Sequence, residues 1–194
     1  MCRIGSIKSK DPVQPSTALR LMLPQQEGHD NSGFAMVMQD LYGVFGRHKD
    51  KPLLSMAVTQ KGARLVEDYM DAHNFNQLTE WIPIPRKAKN LDIKAMPYYI
   101  FRVYDYPEDV ARYTDRQKED LLLDTRLALR KILARAGEGY VYSFWPDVLT
   151  LKEIGDPRDI ATYFGLWDDD GTLVAKSIVA QCRQNTNYEI VRYA

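Results

Sequence analysis

An α+β fold rich in antiparallel sheet is the class this sequence predicts, and three observations lead there. Short apolar runs of strand type dominate both ends of the chain. The helical periods fall mainly between them. An apolar share of 45% marks a globular chain, and 194 residues are enough for one good-sized domain with a real core and too few for two comfortable ones.

The elements follow in order. Cys2 to Ile7 alternates and predicts a short strand, and Lys8 to Pro15 reads as a polar connection. Ser16 can cap a helix from Thr17 to Leu23, which Pro24 stops. Gln25 to Ser32 is a polar loop. Gly33 opens a strand from Phe34 to Met38, with Tyr42 to Phe45 as a candidate hairpin partner. Leu53 to Thr59 is a further apolar strand. A helix then runs to about His73, with Ala63, Val66 and Met70 on one face. Trp81 to Pro85 and Ala95 to Tyr104 have strand character, separated by the basic linker Arg86 to Lys89.

The clearest helix runs from Asp115 to Ala136. Thr114 and Gln117 fit a capping box, Gly137 supplies the stop, and Leu121, Ala128, Leu129, Ile132 and Leu133 are the expected buried side. Tyr140 to Trp145 and Val148 to Leu151 are strand candidates. Asp156-Pro157 starts a short helix. Gly165 to Trp167 and Leu173 to Cys182 flank the turn Asp168 to Gly171, which predicts a hairpin. There is no internal repeat and no low-complexity segment.

Composition narrows the function. Lys plus Arg equals Asp plus Glu, at 26 each, without a basic block that would suggest nucleic acid or an anionic membrane. No apolar run approaches the roughly 18 residues a membrane span requires. The N-terminus lacks the apolar region of a signal peptide, so a cytoplasmic address is expected. Two cysteines without a CxxC pair and three scattered histidines predict no metal site in this chain.

Cys2 is the informative residue. Loss of Met1 would leave a thiol and a free α-amino group on one residue, with pKa values of about 8.5 and about 7.7–8.0. An incidental thiol near the terminus is the plain alternative. Two segments weigh against it: Glu27-Gly28-His29-Asp30-Asn31-Ser32-Gly33-Phe34, between a helix and a strand, and Arg183-Gln184-Asn185-Thr186-Asn187, after an apolar strand.

With Cys2-Arg3-Ile4-Gly5 at the start, these segments resemble the class II glutamine amidotransferases, a branch of the N-terminal-nucleophile (Ntn) hydrolases. That family begins Cys-Gly-Ile, carries an Arg-Gly-x-Asp-Ser-x-Gly loop, and later has an Arg-x-Ser-Thr segment at the end of a strand. Gly28, Asp30 and Gly33 fall on the loop positions, and Arg183 and Thr186 on the later segment. The nearest resemblance is to the amidotransferase domain of glutamate synthase, especially its archaeal type, where Asn187 also matches and Tyr140 to Asp159 looks similar.

The resemblance implies an αββα sandwich over residues 1–194, with a family-specific insert at about 46–136. It implies hydrolysis of L-glutamine through a glutamyl thioester on Cys2, with glutamine held by Gly28, Asp30, Arg183, Thr186 and Asn187. It implies no cofactor in this chain. Flavin and iron–sulfur clusters belong to a synthase partner that receives the ammonia. Cys182 adjoins Arg183, but strand alternation turns it toward the core.

Three departures stand out. Arg3 replaces the family's glycine, and Glu27 stands where the loop has arginine. The family's Asn-Gly oxyanion pair has no counterpart, so the sandwich is expected to be incomplete at its C-terminus and completed by another chain or segment. A non-catalytic glutamine-binding or regulatory subunit with the same fold is the alternative reading.

Overall fold

The computed structural model describes residues 3–25, 33–82 and 99–182. Among them the order is β1 (Arg3–Val13), α1 (Pro15–Met22), β2 (Phe34–Gly43), β3 (Pro52–Val58), α2 (Gln60–Ala72), β4 (Tyr99–Val103), α3 (Asp115–Ala136), β5 (Gly139–Pro146), β6 (Val148–Glu153), α4 (Pro157–Tyr163) and β7 (Leu173–Cys182). The strands form a four-stranded sheet, β1-β7-β2-β6, and a three-stranded sheet, β4-β3-β5. Every named pairing is antiparallel, so the class is α+β with two antiparallel sheets. No helix among the described residues is long and apolar enough to cross a membrane.

Two cores hold these elements together. In the first, Phe34, Met36 and Met38 of β2 meet Leu19 and Met22 of α1, Ile160 and Phe164 at α4, and Leu53 and Phe101 from the smaller sheet. In the second, Leu54 and Met56 of β3 meet Val66 and Met70 of α2 and Leu122, Leu129 and Leu133 of α3. Strand β3 is buried on both faces, which explains its unbroken apolar run. The sheets meet where the Thr150 N–H of β6 donates to Ser55 Oγ of β3 at 3.1 Å. The opposite face of the larger sheet is open: Ile4 is 67% and Val179 39% exposed.

The helices start and stop where local chemistry dictates. Thr59 accepts from the Gly62 N–H at the head of α2. Thr114 and Gln117 form the full capping box of α3, and Gly137 ends it in the left-handed region at φ 66°. The buried stripe of α3 is Leu122, Thr125, Leu129 and Leu133: Leu129 and Leu133 are as expected, while Leu121, packed against the second core, and Ala128 and Ile132 are half-buried. Pro15 at the first turn, rather than a Ser16 cap, starts α1, and Ser16 is buried.

Several strand expectations need correction. β1 runs on to Val13, because an edge strand tolerates Pro12 and polar side chains. Tyr42 is no hairpin partner. β2 continues through Asp40, at φ 55°, and keeps its pairing with β7 as far as Gly43. Aspartate tolerates that conformation, and Lys49 holds its carboxylate. The Asp168–Gly171 hairpin does not form. The Leu166 N–H returns to the Ala161 carbonyl at 2.9 Å, buries its side chain, and leaves β7 to pair with β1 and β2. Of the strand expected at Trp81 to Pro85, Ile82 forms an isolated bridge to Phe101; residues 83–85 lie outside the described residues.

Gly139 begins β5 at φ 143°, and a Cβ there would meet the Ala57 carbonyl oxygen and sit 2.7 Å from Val58 Cα. Gly139→Ala is expected to destabilise the fold by about 2 kcal/mol, read by urea unfolding. A pH effect arises near Asp105. Its carboxylate accepts from Lys51 Nζ at 2.7 Å and from the Tyr106 N–H, and the lysine bond holds its pKa below the ordinary 3.8. A lowered carboxylate contributes stability that is present above the unfolded-state pKa and is lost as pH falls through the folded one. Asp105→Asn is therefore expected to flatten the loss of stability below about pH 4, measured as melting temperature against pH.

Candidate functional site

The larger sheet gathers four strand ends at one edge. Arg3, the first described residue of β1, pairs with Cys182, the last of β7. Cys182 also pairs with Phe34, the first residue of β2. On its far side Phe34 pairs with Glu153, the last residue of β6. The row Arg3–Cys182–Phe34–Glu153 thus crosses the whole sheet in register. With strands about 4.8 Å apart, Arg3 and Phe34 lie about 10 Å apart, with Cys182 between them.

This convergence has a sequence cause. β1 and β2 run parallel, linked through α1, and β7 inserts antiparallel between them, so two starts and one finish share an edge. Gly33 precedes β2 in a buried position at φ 128°, a backbone conformation that favours glycine.

The predicted site residues Cys2, Gly28, Asp30, Arg183, Thr186 and Asn187 lie outside the described residues, as do Glu27 and His29. The described residues that adjoin these segments are Arg3, Gly33 and Cys182. Cys182 is buried in the first core, at 5% exposure, as strand alternation predicts.

One buried residue of the edge was missed in the sequence. Glu153 is a carboxylate at 3% exposure in the row itself, and its Oε1 accepts from the Ile154 N–H at 2.9 Å. Its signal was the alternation of Leu149, Leu151 and Glu153, which all turn inward, but the expected strand stopped at Leu151. Beside it, Lys152 pairs with Ala35, and burial, with Arg130 nearby, holds its ammonium below the usual lysine pKa. Among the described residues no group of three or more His, Cys, Asp or Glu is arranged to hold a metal ion. No protein-family model matches the chain, and no curated protein matches it at significant similarity.

Proposed function

We propose that this chain is the glutamine-hydrolysing component of a class II amidotransferase with an Ntn-hydrolase fold. It works in a glutamate synthase-like system, in the cytoplasm, and passes ammonia to a synthase partner that carries flavin and iron–sulfur clusters. The supporting observation is the row Arg3–Cys182–Phe34. Cys2 is one peptide bond from Arg3, and Arg183 one from Cys182. The Gly28–Asp30 segment precedes Gly33 and Phe34 by a few residues in sequence. The three motif segments, far apart in sequence, are thus attached to neighbouring strands at one edge. The open face bearing Ile4 and Val179 is also what the second sheet of an αββα sandwich would cover.

In this reading the α-amino group of Cys2 takes the thiol proton, and the thiolate attacks the side-chain amide carbon of glutamine. The C–N bond breaks, the same amine returns the proton to the leaving nitrogen, and ammonia departs from a γ-glutamyl thioester. Water, deprotonated by the amine, attacks the thioester and releases glutamate and the thiol. Arg183 holds the substrate α-carboxylate through its planar guanidinium, with Thr186 and Asn187 beside it.

An electrophilic glutamine analogue should add one covalent mass to the Met1-processed protein, located at Cys2 by peptide mass spectrometry and absent in Cys2→Ala. No adduct, with or without the synthase partner, would sink the proposal. Arg3 and Glu27 favour a second reading, a non-catalytic glutamine binder, since Glu27 would raise the thiol pKa. That protein would be thermally stabilised by glutamine without releasing ammonia, and would lose the effect in Arg183→Ala.

A further inference from the structure

Helix α3 buries one side and leaves apolar residues on the other. Leu123 and Leu127 are 42% and 46% exposed, one turn apart, and straddle the middle of a 22-residue helix. Leu123 also borders an open groove of about 460 Å³, lined further by Trp145 and Val148. Positions 120, 123, 127 and 130 have the 3-4 spacing of a helix–helix seam. Charge is ordered about the same midpoint. Glu119 and Asp120 lie on the N-terminal side, Arg130 and Lys131 on the C-terminal side, and all four are exposed. The helix dipole favours such an order only within the first and last turns, and these residues lie further in.

We infer that α3 is a self-association surface whose occupant is the α3 of a second copy, packed antiparallel. A two-fold axis crossing the helix level with Thr125 sets Leu123 against Leu127 of the second copy. It sets Asp120 against Arg130, and Glu119 against Lys131, and every contact occurs twice. A parallel pair would instead set Asp120 on Asp120 and Arg130 on Arg130. The pattern is therefore self-complementary in one orientation only. The groove beside Leu123 gives an apolar side chain of the second copy somewhere to seat, against Trp145. Arg130 reaches the interface from its place over the Tyr140 ring, 4.8 Å from the ring centre.

The test is sedimentation equilibrium of the full chain at low and moderate salt. A dimer is expected, with Kd on the order of 10–100 µM and weakening as salt rises. Leu127→Glu should weaken it by at least about tenfold. Asp120→Arg and Arg130→Asp should each weaken it by about tenfold. Mixing those two variants in equal amounts should restore association. In the mixed pair the introduced arginine of one copy faces the introduced aspartate of the other. The native Arg130 of the first copy faces the native Asp120 of the second, so both contacts again join a cation to an anion. All these positions are exposed, so far-UV circular dichroism should show the fold intact. A wild-type monomer at roughly 300 µM, a dimer indifferent to Leu127→Glu, or no recovery on mixing would overturn the inference.

Discussion

Cys2→Ala is expected to lower glutamine hydrolysis by at least about 10³-fold while leaving thermal unfolding unchanged. The size follows from the proposed route. Without the thiol there is no thioester, and water must attack an amide with whatever the binding groups alone supply. A sharper companion leaves the thiol in place. Blocking Met1 removal, by inserting a lysine between Met1 and Cys2, keeps the sulfur but takes the α-amino group away from it. Loss of rate as large as that of Cys2→Ala would identify the amine as the proton carrier. A variant still hydrolysing glutamine at the wild-type rate would refute that role. In the processed enzyme the rate should rise with pH through about 7.7–8.0, as the amine loses its proton and becomes a base.

Glu67→Leu is expected to destabilise the fold by about 3 kcal/mol, a fall in melting temperature of about 8 °C for a chain of this size. Arg102 lies in β4 with its side chain only 3% exposed. Its Nη1 donates to Glu67 Oε1 at 2.8 Å, and the same oxygen accepts from Trp81 Nε1 at 2.7 Å. The guanidinium also stacks 3.9 Å from the Trp81 ring centre. Glu80, 3.8 Å away, is 91% exposed and too solvated to replace the lost partner. Removing Glu67 therefore strands a buried cation. Arg102→Leu should cost less, about 1–2 kcal/mol, because Glu67 is 37% exposed and can rehydrate. Arg102 Nε has no hydrogen-bond partner to lose. The double variant Glu67→Leu/Arg102→Leu should be more stable than Glu67→Leu alone. Additive losses would show that the pair is not coupled. Nearby, burial raises the Tyr104 phenol to about 12, so it stays neutral throughout these measurements.

What could be read from the sequence divides along the reach of the interactions. The helices α2 and α3 were legible because their ends are set by residues three or four positions away: Thr59 with Gly62, Thr114 with Gln117, and Gly137. The full extent of the buried stripe of α3 was not, since it depends on which residues β5 and α2 present to it: Leu129 and Leu133 were expected, but Leu122 and Thr125 are buried more deeply than Leu121. Turn chemistry around Asp168–Gly171 pointed to a local hairpin. The actual partners of β7 are β1 and β2, more than a hundred residues earlier, and no local pattern names them. For the candidate site, residue type and order picked out three segments. Only the register gave the strands that adjoin them a common edge, and only burial showed Glu153 within it.

The place of β7 has a consequence for how the chain acquires its shape. β1 and β2 never touch as neighbours; each pairs with the strand laid between them, which ends at Cys182. A ribosome delivering the chain from its N-terminus can present β1, α1 and β2 early, but their shared sheet cannot zip until residues 173–182 emerge. Closure then has to bridge the long stretch of chain between β2 and β7, a slow, non-local step. The row Arg3–Cys182–Phe34 is accordingly assembled only after β7 has been made. On the proposed function, a glutamine site could not take shape before β7 has slid into place between β1 and β2.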